Sequence, residues 1–274
     1  MCLRSVFACE TKYSFEVFVV DNASSDGSVE MVKTEFPQVK LIESLENVGY
    51  AKANNVAIRQ SSGRYVLLLN SDVEVSRDTF DKMLEYMDNN LSVGIAGCRV
   101  VKPDGTLDLA SRRSFPNLWS GLFRVTGLSL LFPTSRLARY NLTYLSEDQI
   151  EEVDSVMGAF LLLRRQLMDK VGLLDEDYFM YGEDLDWCFR AKAAGARVMY
   201  VPVTRVVHHK GSSSRKLPGK ALYEFHRAMQ IFYDKHYRTK HNFVINFLVK
   251  VGIWSRYGIK VIQNSLRREK YVSR

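Results

Sequence analysis

Short β-branched runs alternate with longer amphipathic ones along the first hundred residues. EVFVVD, residues 16–21, ends in an acid and reads as a strand. The turn NASSDGS follows, then a helix through about Phe36. VKLIE (39–43) reads as a second strand and GYAKANNVAIRQ (49–60) as a helix. YVLLL (65–69) is a third strand, apolar enough to be buried on both faces. A helix over about 77–90 leads to a strand near 94–101. This alternation predicts an α/β fold with a mostly parallel, doubly wound sheet.

The pattern loosens over the loop-rich residues 104–150. GAFLLL (158–163) and 197–207 read as strands, and 165–171, 184–194 and 220–236 as helices. The tail has its own arrangement. At 100° per residue, Asn242, Asn246, Lys250, Arg256, Lys260, Gln263, Asn264 and Arg267 share one arc, opposite Phe243, Phe247, Val251, Trp254 and Ile262. A spanning helix needs ~20 largely uncharged residues, and Lys250, Arg256 and Lys260 interrupt this one. An interfacial helix on acidic lipid fits better, with packing on the body or a partner as the alternative.

A length of 274 residues, 46% of them hydrophobic, suits one large domain or a domain with an appendage. The four cysteines have no CxxC spacing, so neither a disulfide framework nor a zinc site is expected, and a reducing compartment is. No signal peptide opens the chain, so the sequon at Asn141 reads as accidental. The net charge of +7 divides into +9 over residues 235–274 (ten Lys/Arg, one acid) and −2 over the rest. A near-neutral body argues against nucleic acid; the basic tail calls for its own anionic partner.

In an open parallel sheet, ligands bind beyond the carboxyl ends of the strands. Asp21 and Asn22 end one strand; Asn70, Asp72 and Glu74 follow another. Turn chemistry explains the first group as readily as function does, and Asp72 less readily. GxxxxGK[ST] and GxGxxG are both absent, so a nucleotide held here needs a cation bridging its diphosphate, Mg²⁺ or Mn²⁺, with Asp72 as a carboxylate ligand. Adjacent His208 and His209 precede a Gly/Ser turn; on a strand they face opposite ways, so one at most joins a given site. YGEDLDWCFRAKAAG (181–195) places Glu183, Asp184 and Asp186 before a helical run closed by Gly195. Acids at a helix N-terminus contribute about 0.3–1 kcal/mol each, but one suffices for a cap, which leaves a proton-accepting role open.

Five segments occur in one order: VVDNASSDGS, NVGYAKANN, LLLNSDVEV, VMGAFLLLRRQLMDKVGLLDEDYFMYGEDLDWCFRAKAAG and VVHHKGSS. Together they resemble the inverting, metal-dependent family 2 glycosyltransferases of GT-A fold, in particular the rhamnosyltransferase-like branch that builds bacterial surface polysaccharides. The resemblance spans about residues 3–236. It implies a nucleotide-diphosphate sugar donor, with dTDP-rhamnose favoured, and a glycan or lipid-linked acceptor. Asp21, Asn22, Asn47, Gly49, Asn54 and Asn70 would line the donor pocket. Asp72 and His208 would hold the metal, Asn70 standing where the family has the first acid of D-x-D. Asp184 would be the catalytic base, with Glu183, Asp186, Trp187 and Gly158 on the acceptor side. About 200° separates Asp184 from Asp186 on a helix, so both cannot face one substrate.

The implied organisation is a GT-A domain over 1–236, split into a nucleotide-binding half (1–102) and an acceptor half (103–236), and a basic amphipathic tail over 237–274. The implied location is cytoplasmic, peripheral on the inner face of the plasma membrane through 242–267. The family's opening central strand, such as VSIVIVTYN, has no counterpart; Leu3, Val6 and Phe7 instead resemble the helix that follows it. A missing first strand implies exposed apolar edges and low stability or activity. The competing readings are a catalytically inactive GT-A-like scaffold and a metal-dependent nucleotidyltransferase.

Overall fold

The computed structural model describes residues 1–116, 140–209 and 218–266. In chain order it has α1 (Cys2–Phe7), β1 (Phe18–Asn22), α2 (Ser28–Glu35), β2 (Lys40–Ser44), α3 (Tyr50–Gln60), β3 (Tyr65–Leu69), β4 (Val73–Val75), α4 (Thr79–Asn89) and β5 (Val93–Val101). Then come β6 (Arg112–Arg113), β7 (Glu151–Glu152), β8 (Ser155–Val156), β9 (Phe160–Arg164) and α5 (Arg165–Val171). The chain continues with α6 (Glu183–Ala193), β10 (Arg197–His208), α7 (Pro218–His236) and α8 (Phe243–Ser265).

The main sheet runs β3-β9-β5-β10-β4, with β7 beside β10. Its middle strands are buried on both faces, and alternate residues feed two cores. Leu162 and Cys98 point to one core, where Met83 and Met87 of α4 close over them. Leu161, Leu163 and Ile95 point to the other, under Trp187, Cys188 and Ala191 of α6. This is the pleat's period of two, with helices on both sides of the sheet.

Strand directions are mixed. β5 and β10 are parallel, but β9 runs antiparallel to both β3 and β5, and β4 antiparallel to β10. A run such as FLLLR reports burial on both faces, and burial is indifferent to direction.

β1 and β2 form a separate parallel ladder over a small core of Val32, Phe36 and Val39, flanked by Leu3 and Phe7. Among the described residues no strand joins β1 to β3. The two nevertheless run the same way. Near their starts the Glu16 carboxylate accepts from Ser62 N–H at 2.7 Å. Beyond their ends Asn22 bonds the Gly49 carbonyl at 3.2 Å, and Tyr50 reaches Asn70 at 3.1 Å. Consecutive residues of both strands line one cleft of about 3180 Å³, several times an ordinary small-molecule pocket. The break lies where the expected central strand would run.

α8 packs on α7 through Trp254, whose Nε1–H donates to Gln230 at 2.7 Å, and through Lys250 on Asp234 at 3.2 Å. Its outer face leaves Phe243, Phe247, Leu248 and Ile262 more than half exposed. Arg267, assigned above to the polar arc, lies outside the described residues. Among the described residues no helix is long and apolar enough to cross a membrane.

Candidate active site

One wall of the cleft is built by strand register. β4 and β10 pair antiparallel with His208 opposite Val73, which brings Asp72 beside His208. His208 Nε2 lies 3.1 Å from Asp72 Oδ1, and its Nδ1 lies 3.7 Å from Asp108 Oδ2. His209 points the other way, to Glu74 at 3.3 Å, as strand alternation requires. Asp108 ends a stretch of the loop-rich segment, and its other oxygen accepts from Ala110 N–H at 3.2 Å. At 3.7 Å Asp108 faces the ring as a neighbouring carboxylate, beyond hydrogen-bond reach.

The Asp72–His208 pair suits a divalent cation. Neighbouring ligands of an octahedral ion with ~2.1 Å bonds lie roughly 3 Å apart, and the pair's donor atoms are 3.1 Å apart. Among the described residues no group of three or more His, Cys, Asp or Glu side chains is placed to hold a metal. Two protein donors leave the remaining positions to water and phosphate oxygen, as Mg²⁺ and Mn²⁺ sites on nucleotides do.

The floor is a set of short polar loops. Asn22 Oδ1 accepts from Val48 N–H at 2.9 Å, and Asn47 Oδ1 from Gly49 N–H at 3.1 Å. Asp21 closes a local turn on Ser24 N–H at 3.1 Å, and Asn54 donates to the Tyr50 carbonyl at 2.8 Å. Gly49 has φ 89°, and a Cβ there would sit 2.6 Å from the Phe179 carbonyl oxygen, so only glycine fits. Asp21, Asn22, Asn47, Gly49, Asn54 and Asn70 all line the cleft.

The opposite wall is the N-terminus of α6. Asp184 Oδ2 accepts from Gly158 N–H and from Arg113 Nη2, each at 2.8 Å, while Oδ1 accepts from Leu185 N–H at 2.7 Å. Glu183 is buried, and its Oε2 has no hydrogen-bond partner. Burial, reinforced by the neighbouring Asp184 charge, pushes its carboxyl up to about 8, so it is protonated at neutral pH. Asp72, His208, Gly158, Glu183 and Asp184 line the same cleft as the donor-side residues.

Two residues expected on the acceptor side are elsewhere. Trp187 is fully buried in the core under the sheet, its Nε1–H donating to the Gly172 carbonyl at 3.0 Å. Asp186 faces α7: it accepts from Arg190 at 2.7 Å and meets His236 Nε2 at 2.7 Å, with 1% of its side chain exposed. The three acids at the start of α6 therefore have three surroundings, and Gly182, the N-cap, has no side chain to cap with. The angular separation of Asp184 and Asp186 holds, and it turns Asp186 into a tie between helices.

Sequence reasoning missed Asp108, Arg113 and Tyr50. Tyr50 O–H lies 3.1 Å from both Asn70 Oδ1 and the Gly158 carbonyl, bridging the two walls. Burial, then the charges of Glu183, Asp184 and Asp72, holds its hydroxyl well above the ordinary phenol range, so it stays a donor. The adjacent arginines in SRRSFP were the available signal for Arg113.

Comparison with known proteins bears on the family and the fold. The family described as glycosyl transferase family 2 matches residues 1–172. The chain is 30% identical over 238 residues to N-acetylglucosaminyl-diphospho-decaprenol L-rhamnosyltransferase of Mycobacterium tuberculosis, covering 82% of this chain and 77% of that protein. It is 28% identical over 184 residues to rhamnosyltransferase WbbL of Escherichia coli K12, covering 64% of this chain and 66% of that one. Among solved structures, mannosyltransferase PcManGT from Pyrobaculum calidifontis in complex with GDP-Man and Mn²⁺ superposes with a TM-score of 0.55 at 17% identity, over 97% of this chain and 70% of that one. The fold is GT-A, and the chain belongs to the family 2 glycosyltransferases.

Proposed function

We propose that this glycosyltransferase moves a sugar from a nucleotide-diphosphate donor to a hydroxyl of a glycan or lipid-linked acceptor, with inversion, in the synthesis of a bacterial surface polysaccharide. The observation that supports it is that Asp72, His208 and Asp184 line one cleft. Asp21, Asn22, Asn47, Gly49, Asn54 and Asn70 shape the donor half. Asp72 and His208 hold Mg²⁺ or Mn²⁺, which when bound supplies positive charge to the leaving diphosphate. Asp184 takes the proton from the acceptor hydroxyl as that oxygen attacks the anomeric carbon and the diphosphate departs from the opposite face. Glu183 and Gly158 border the acceptor beside it.

The relatives named above are rhamnosyltransferases, so dTDP-rhamnose is the first donor to test, and a polyprenyl-diphosphate sugar the first acceptor. Asp184→Asn is expected to abolish transfer while leaving donor binding, measured by calorimetry, within a few-fold of wild type. Near-native turnover in that variant sinks the assignment. A catalytically inactive scaffold is the second reading, favoured by the break between β1 and β3, and metal-dependent turnover of any nucleotide sugar refutes it. The domain plan, a GT-A domain over 1–236 with a tail over 237–274, belongs to the same proposal. The exposed apolar face of α8 supports a peripheral position on the inner face of the plasma membrane, where acidic lipid attracts the basic residues of the tail. Flotation with vesicles containing anionic lipid, and not with neutral vesicles, is the expected behaviour; failure to float with either discards the membrane contact.

A further inference from the structure

We propose that Arg113 is a positioning residue that pairs with the Asp184 carboxylate and aims it at the acceptor hydroxyl, so that removing the guanidinium shifts the acid limb of the reaction. This rests on Asp184 being the base.

The contact is short and built from both sides. Arg113 Nη2 donates to Asp184 Oδ2 at 2.8 Å, to the Val156 carbonyl at 2.9 Å and to Ser155 Oγ at 3.1 Å. The side chains are only 12% and 10% exposed. Arg113 stands on β6, paired antiparallel with β8, so the ladder itself delivers the guanidinium to the start of α6, 71 residues away in sequence. A lone charge in such surroundings is costly, and each of these two offsets the other.

The rest of the neighbourhood makes the guanidinium matter. Glu183 and Cys188 face Asp184 from its own helix, Tyr50 faces it from α3, and Tyr140 faces Arg113. Among these described groups Arg113 alone is positive. Burial works against the Arg113 charge, yet Asp184 holds it above the ordinary arginine range. Remove the cation and, among these described groups, the buried Asp184 carboxylate is left without its counter-charge. Burial without a counter-charge favours the protonated form. Asp184 would then already carry the proton it is meant to take.

Arg113 also explains how the base keeps its place during the reaction. As the acceptor's O–H bond breaks and its oxygen bonds to carbon, the proton goes to Asp184 and the electron pair of the broken glycosidic bond leaves with the diphosphate. Asp184 becomes neutral at that moment. The Val156 carbonyl and Ser155 hydroxyl still hold the guanidinium, so the carboxyl has the same donor waiting when it ionises again.

The test compares Arg113→Met and Arg113→Lys with wild type. Asp184 is titrated by carboxyl carbon NMR, its resonance assigned by loss in Asp184→Asn, and the acid limb of kcat is recorded alongside. Arg113→Met is expected to raise the Asp184 midpoint by about 1–3 pH units, the usual effect of an adjacent opposite charge. The acid limb should move with it, with donor KM unchanged. Arg113→Lys keeps the charge and is expected to leave the midpoint near wild type while lowering kcat through lost geometry. A purely structural arginine would lower thermal stability in both variants and move neither midpoint nor limb, which overturns the proposal. Should Arg113→Met not fold, a midpoint in Arg113→Lys raised by a full unit overturns it equally. Transfer surviving in Asp184→Asn would instead overturn the base assignment, a separable outcome.

Discussion

The two walls of the cleft are held by different forces. Asp72 and His208 meet because β4 and β10 share a backbone ladder, and the ladder's register places them. Asp184 is held by the Arg113 side chain of β6 and by the backbone N–H groups of Gly158 and Leu185. Backbone register survives most side-chain changes. A buried ion pair does not, since deleting one partner leaves the other's desolvation uncompensated. The α6 wall should therefore be the fragile one, and the β4–β10 wall the tolerant one.

Three substitutions sharpen that contrast. The largest expected effect is on Asp186, which ties α6 to Arg190 and to His236 of α7. Asp186→Ala should destabilise the fold by ~3–5 kcal/mol, as loss of one partner in a buried pair does, with acceptor KM unchanged in whatever folds. Burial raises this carboxyl, but the His236 and Arg190 contacts prevail and hold it below the ordinary range. A lowered folded-state value means that its contribution is present above the ordinary carboxylate range and fades as pH falls through the folded-state value. Chemical denaturation of variant and wild type at several pH values checks both statements.

Next is Asp108→Asn, on the tolerant wall. It changes the carboxylate behind His208 and leaves the ladder intact. Metal affinity is expected to fall, because a negative charge beside the imidazole is lost, read by Mn²⁺ titration, with thermal stability nearly unchanged. An unaltered affinity would show that His208 needs no support from behind.

The smallest effect is a stability difference that varies with pH. Glu183 has its carboxyl raised to about 8, so the folded state keeps a proton that the unfolded chain releases in the ordinary carboxylate range. Its contribution is fully present below that range and is lost as pH rises toward the folded-state value. Measured against wild type, Glu183→Gln, neutral at every pH, should be least favoured at acid pH and should gain as pH rises toward 8. A stability difference between Glu183→Gln and wild type that stays constant from acid to alkaline pH would show that Glu183 is not held protonated.

Much of the site was legible in the chain. The polar rims after VFVVD and VLLL, and the histidine at the end of β10, lie where strand ends were expected, because strands end in recognisable turn chemistry. Alternation across β10 also separated His208 from His209. Trp187 was put on the acceptor side by resemblance alone, while the helix turns it into the core. Arg113 and Asp108 come from the loop-rich stretch, where no periodicity marks which residues are brought inward.

The amino-acid sequence by itself determined the helices, the strands and their two-faced burial, the polar rims and the acid cluster, since each follows from local spacing and residue type. Tertiary structure alone decided that β9 runs antiparallel, which two of three neighbouring acids face the cleft, and which arginine answers them. Helical periodicity sets angles between side chains but not the direction in which any of them points. A strand's apolarity sets its burial but not its direction, and a charge finds its partner only when the folded chain brings the two together.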